Sequence, residues 1–180
     1  MLNQGNPSGL WGFKLPETIL ILPLIHEAFP NAHYVHLIRD PLTTCLRRTH
    51  MTARFDNAIG RTAIRAAYEH CSRPVWRSLE DSSALHMAYT TRHQIEGARA
   101  FAQNHLTSRY LEIRFEDLLN DPETARQTVA QWLEVEPQSD DLTEQIDPNR
   151  PKRPKRTYDA KTARRTAIAL HGLRKMLNYS

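Results

Sequence analysis

"FPNAHYVHLIRDPLTTCLRRTH", residues 29–50, decides how this chain is read. His33-Tyr34-Val35-His36-Leu37-Ile38 is β-branched, aromatic and apolar, with Pro30-Asn31 in front, which predicts a strand over 33–38. Asp40-Pro41 then reads as an N-cap and first helical residue, because proline has its φ preset and no N–H to lose there. Arg39 falls between the strand and the helix start. It would stand beside unpaired backbone N–H groups at the positive end of a helix dipole, where a guanidinium can grip two oxygens of an anion. The stretch therefore predicts a phosphate or sulfate site at Arg39.

Working outward, 180 residues suffice for one α/β domain with a core and are too few for two ordinary ones. Apolar residues make up 40% and charged residues 24%, a globular balance. No apolar run reaches the length of a membrane span, and the polar, uncharged "MLNQGNPSG" lacks the parts of a signal peptide, so a cytoplasmic protein is expected. Cys45 and Cys71 suggest no disulfide framework. No metal-ligand spacing occurs; His33 and His36, three apart on a strand, would point to opposite faces. Charge is uneven, since residues 150–175 hold ten Lys/Arg against Asp159 alone. Such a segment expects a polyanionic partner or anionic cofactor, or else forms a solvated helix face.

Along the chain, "ETILILPLIHEAF" (17–29) reads as an apolar helix bent at Pro23. A helix from Pro41 to about Phe55, another over 57–71 and a long one from Pro74 to about Asn104 follow. In the long one, Trp76, Leu79, Leu85 and Ile95 suggest a buried face. "RYLEIRF" (109–115) alternates as a second strand, and Asp121-Pro122 opens a helix expected to bury Val129, Trp132 and Leu133. The chain thus reads as one domain over 1–180: a flexible N-terminus at 1–10, a basic proline-rich loop at 136–159, and a closing helix over 160–177. Strands joined by long helical connections pair in parallel and hold ligands beyond their C-terminal ends. Only two strands are evident, fewer than a doubly covered parallel sheet requires.

Four segments together resemble the sulfotransferase family, whose members use 3′-phosphoadenosine 5′-phosphosulfate (PAPS). "WGFKLPET" (11–18) is similar to its W-x-x-K-x-P segment, and "FPNAHYVHLIRDPLTTCL" to its 3′-phosphate-binding segment. "RYLEIRFEDLLNDPETARQTVAQWLEV" is similar to a later R-Y-x-x-[VI]-R-Y-E-D-L-x-x-D-P segment, and "LRKMLNY" to the closing L-x-x-[LM]-G-Y. The match spans most of residues 11–179 and is nearest the bacterial and tyrosylprotein-type branches. The resemblance implies a P-loop NTPase-like, three-layer α/β fold with a parallel sheet, mostly helical in this chain. It also implies that the N-terminal strand–loop–helix, which wraps the 5′-phosphosulfate, is missing before Trp11, with the absent strand belonging in the sheet's interior.

Carried over residue by residue, the resemblance places Lys14 near the sulfuryl group or leaving phosphate as a catalytic cation. Arg39 would bind the 3′-phosphate. Arg47 stands where the family has a serine, so it, or Thr43 or Thr44 in the first turn, would have to take that serine's part. Phe115 replaces a tyrosine beside the adenine. Arg150, Arg153, Lys155 and Arg156 are candidates to close over the 3′-phosphate, while Glu116 and Asp117 are expected to hold the loop after the strand. No acceptor base and no metal are assigned. The implied activity is sulfuryl transfer from PAPS to a hydroxyl or amine; the alternative is a non-catalytic remnant binding at most the 3′-phosphoadenosine part. Nucleic-acid binding by the basic segment is disfavoured, because only Tyr158 is interleaved with its charges. Oligomeric state stays open, an incomplete sheet edge inviting self-association.

Overall fold

The computed structural model describes residues 11–47, 49–136 and 158–179. Arg150, Arg153, Lys155 and Arg156, with the 1–10 segment and most of the 136–159 loop, lie outside the described residues. The chain forms two compact units, Met1–Ala32 and His33–Ser180.

In the first unit the expected 17–29 helix is two pieces. A 3-10 turn, Pro16–Leu20, stops at Ile21, and α1 (Leu22–Ala28) starts afresh. Pro23 lies in the first turn of α1, where a proline opens a helix rather than bending one. Trp11 packs edge-on against Phe29, with ring centroids 5.4 Å apart.

The second unit holds β1 (Tyr34–Ile38), α2 (Pro41–Arg47), α3 (Ala58–His70), α4 (Ser83–His105), β2 (Tyr110–Arg114), α5 (Phe115–Asn120), α6 (Pro122–Trp132) and α7 (Ala160–Met176). The α/β class stands: the unit is mostly helical around a small parallel sheet. β1 and β2 pair directly, with Tyr34 opposite Tyr110 and Ile38 opposite Arg114. No strand lies between them. Because side chains alternate along a strand, Val35 and Leu37 share a face, and there they remain 48% and 47% exposed.

Helix ends follow local chemistry. α2 ends at Arg47 rather than near Phe55, and a separate 3-10 turn covers Met51–Ala53, its start capped by the His50 ring on the Thr52 N–H. The expected 74–104 helix is broken between a 3-10 turn at Val75–Leu79 and α4. Trp76 and Leu79 lie on that turn, out of phase with the α4 face, and are 56% and 81% exposed; Leu85 and Ile95 are buried as expected. α6 buries Ala125 and Ala130, while Val129, Trp132 and Leu133 are half-buried. Trp132 keeps its rim position because its indole N–H donates to the Ser108 carbonyl at 2.8 Å.

Two apolar clusters make the core. One joins Ile38 to Cys45, Met87, Ala88, Ile95, Leu170, Leu173 and Leu177; the other joins Ile64, Ala67, Tyr68, Leu85 and Tyr89. Ala169 on α7 touches both. Asp81 locks this arrangement: its almost fully buried carboxylate accepts from Arg165 at 2.6 Å and from the Tyr68 hydroxyl at 2.8 Å. Both cysteines are free, and burial, only slightly offset by a hydrogen bond to Thr91, pushes the Cys45 thiol up to about 12.

Gly60 packs closest of all. A Cβ there would meet the Arg54 and Met51 carbonyl oxygens at 1.9 and 2.7 Å, and backbone cannot swing aside as a side chain does. Gly60→Ala is expected to lower stability by the upper part of about 1–3 kcal/mol, read as a shift in the urea midpoint. Three histidines, His36, His86 and His93, are held below the ordinary imidazole value chiefly by burial, with Glu112 opposing the shift at His36. The unfolded chain binds protons at these positions from about pH 6.5 downward, where the folded chain does not. Stability should therefore fall as pH drops from about 6.5, and the urea midpoint should be lower at pH 5 than at pH 7.5.

Candidate functional site

The C-terminal ends of β1 and β2 lie side by side, and a network of short hydrogen bonds ties them together. Asp40 begins it. Its carboxylate accepts from the Leu42 and Thr43 N–H groups at 3.2 Å each, from the Thr43 hydroxyl at 2.6 Å and from Arg174 at 3.0 Å. The Thr44 hydroxyl donates to the Asp40 carbonyl at 3.0 Å. Burial on its own would raise the Asp40 carboxyl, but the Thr43 and Leu42 hydrogen bonds and the Arg174 charge outweigh it and hold the group below its usual range.

The α2 start is thus not a ring of free N–H groups. Asp40 caps two of them, and both threonine hydroxyls are already donating within the turn. Attraction for an anion here rests on side-chain cations rather than on the helix end. Arg39 is such a cation. Its guanidinium lies over the Phe115 ring at 4.8 Å, and its Nε is buried with no partner among the described residues. The phenyl ring in place of a phenol leaves every N–H of that guanidinium unclaimed by the residue it stacks on. Among the described residues no carboxylate pairs with Arg39. Arg47 closes the last turn of α2, half-buried. Lys14 belongs to the first unit, on an exposed extended stretch before the 3-10 turn.

Glu116 bridges the strand ends from the first turn of α5, which follows β2 directly where a loop was expected. One of its oxygens accepts from the Asp40 N–H at 3.1 Å and the other from the Tyr179 hydroxyl at 2.7 Å. Tyr179 in turn lies under the Arg114 guanidinium, 4.3 Å from ring centroid to Cζ. Arg114 therefore copies the arrangement at Arg39: an arginine at a strand end, stacked on an aromatic ring, with a buried and unpartnered Nε. It fronts a cavity of about 410 Å³ between β2, α6 and the end of α7, which Arg39 and Phe115 do not line.

Behind this rim, on the inner face of the sheet, a chain runs from His36 to the Tyr110 hydroxyl, from that hydroxyl to Glu112 at 3.0 Å, and from Glu112 to Arg99 at 3.1 Å. Burial pushes the Tyr110 phenol up, and the Glu112 charge adds to the effect. Neither Arg114 nor this chain was among the sequence candidates. The in-phase alternation of Tyr110, Glu112 and Arg114, opposite His36, is the signal that carries them. Among the described residues no group of His, Cys, Asp and Glu is arranged to hold a metal ion.

Asp40→Ala removes the helix cap and the Arg174 partner together. The expected loss is about 1–2 kcal/mol, the size of a missing N-cap, measured by urea unfolding at neutral pH. Because the folded carboxyl is held low, the difference from wild type should shrink as pH falls below about 3.9, where the unfolded carboxyl is protonated.

No curated protein and no solved structure matches this chain. The sequence pattern of the Sulfotransferase family, in contrast, matches residues 1–140. That span includes the strand–arginine–helix start at Arg39, both strands and the Glu116 bridge, so the chain belongs to the sulfotransferase family.

Proposed function

We propose that this protein transfers a sulfuryl group from PAPS to a hydroxyl or amine acceptor, with Arg39 holding the 3′-phosphate of the donor. The observation that carries this reading is the Arg39 guanidinium, stacked on Phe115, with a buried Nε and no carboxylate partner among the described residues. A buried N–H left without a partner is costly until an acceptor completes it. Family membership supports reading that anion as the phosphate on the ribose of an activated-sulfate donor.

The remaining assignments follow the resemblance of these segments to those of the family. Phe115 offers an apolar ring to the adenine, and its stacking needs no hydroxyl. Arg47 adds positive charge at the end of α2, and Arg153, Lys155 and Arg156 supply more from the 136–159 loop. Lys14 is assigned to the charge that develops on the departing phosphate oxygen. The donor supplies the sulfuryl group. As in phosphoryl transfer, the protein's task is to position both partners and neutralise charge on the leaving and equatorial oxygens. Thr43 contributes through the turn it builds with Asp40, since its hydroxyl donates there. We assign the protein to the cytoplasm; among the described residues no helix is long and apolar enough to cross a membrane.

Isothermal titration with 3′-phosphoadenosine 5′-phosphate tests the reading. Wild type should bind, and Arg39→Ala should lose about 1.5–3 kcal/mol of affinity, the size of a lost hydrogen bond to a charged group. Unchanged affinity in a folded Arg39→Ala protein overturns the assignment.

A further inference from the structure

Arg114 is the second strand-end guanidinium, and the donor reading leaves it unused. It closes β2 opposite Ile38, and its Nε is buried without a partner among the described residues. Tyr179 holds it from one side, its ring centroid 4.3 Å from the guanidinium carbon. The cavity it fronts, about 410 Å³, lies within the range of small-molecule sites.

The other groups around that cavity define what fits. Arg99 and Asn178 bring donors, and Glu112, Asp117 and Asp121 bring carboxylates; Thr124 and Thr128 bring hydroxyl oxygens, the Thr128 hydroxyl already donating to the Thr124 carbonyl at 2.8 Å. Two of these carboxylates are already engaged. Glu112 accepts from Arg99 at 3.1 Å and from Tyr110 at 3.0 Å, and Asp121 caps α6 through the Thr124 N–H at 3.0 Å. Asp117 is exposed and, among the described residues, makes no ion pair with Arg114. What is left open is one guanidinium, an amide, one carboxylate and the threonine hydroxyl oxygens as acceptors. That set suits a ligand carrying an oxyanion at one end and hydroxyl groups at the other.

We propose that this cavity seats the acceptor and that Arg114 grips an oxyanion on it, so that the acceptor is an anionic, hydroxyl-bearing molecule. The term acceptor rests on the sulfotransferase reading; the oxyanion subsite stands on the geometry alone. The shared chemistry is a planar or tetrahedral oxyanion, supplied by a carboxylate or by a sulfate or phosphate ester.

Arginine side-chain Nε–H resonances of the ¹⁵N-labelled protein, with Arg114 assigned by its loss in Arg114→Lys, report the contact directly. Glucuronate, glucose 6-sulfate, glucose and sodium sulfate serve as probes. The Arg114 signal should shift with glucuronate or glucose 6-sulfate, whichever oxyanion is preferred, and not with glucose. Arg114→Gln should weaken binding of that probe at least tenfold and change the affinity for 3′-phosphoadenosine 5′-phosphate less than twofold, with Arg39→Ala showing the reverse. Thermal unfolding checks that both variants fold, and Arg114→Lys serves in place of an unstable Arg114→Gln. No shift with either anionic sugar, an equal shift with glucose, or sodium sulfate binding as tightly as the sugar ester overturns the proposal. If the anionic sugar binds while wild type fails to bind the nucleotide, the donor reading falls and the oxyanion subsite stands.

Discussion

The carboxylate of Glu116 holds the working end of this molecule together. It receives the Asp40 N–H on one oxygen and the Tyr179 hydroxyl on the other, and so joins β1, the turn after β2 and the C-terminal segment after α7. Those three pieces are far apart in sequence. Each also carries half of an arginine–aromatic pair: Arg39 on the first, Phe115 beside Arg114 on the second, Tyr179 on the last. Were the bridge absent, both stacked pairs would depend on main-chain pairing of two five-residue strands. Two strands make a weak platform on their own. Side-chain hydrogen bonds to a carboxylate, stronger than neutral ones, supply the rigidity that a wider sheet would otherwise provide.

A second constraint follows from Asp40. A carboxylate that caps its own helix and pairs with Arg174 spends the dipole's attraction for anions inside the protein. What stays unmet at the rim is the donor capacity of two guanidinium groups, each oriented by a ring. Basic residues of α7 divide accordingly. Arg165 and Arg174 are structural, fastening the helix to Asp81 and Asp40, so much of that helix's charge serves the fold rather than a partner.

The strand–arginine–Asp-Pro–helix order was legible because each step has a local cause: β-branched and aromatic residues, a proline with a preset φ, an aspartate that caps. β2 was legible from its strict alternation, and α7 as the stretch that follows the proline-rich loop. What escaped was decided by tertiary contact. Whether Trp76 is covered depends on whether its turn joins α4, and the break at Glu80–Ser82 is not marked by glycine or proline. Asp40 was legible as the cap, which already places its carboxylate on the Leu42 and Thr43 N–H groups; its pairing with Arg174, brought to it across the chain, was not. Arg114 reads from sequence as one more polar strand residue. Its importance comes from Tyr179, which folding brings to it across the chain.

The parallel pairing has a broader consequence. With both strands running the same way, Arg39, Glu116 and Arg114 gather on one rim. On the opposite rim the described contacts serve the frame: His33 packs on Trp132, whose indole N–H donates to the Ser108 carbonyl. The two proposed oxyanion sites therefore share one register, and a slip of one strand along the other would displace both guanidinium groups at once.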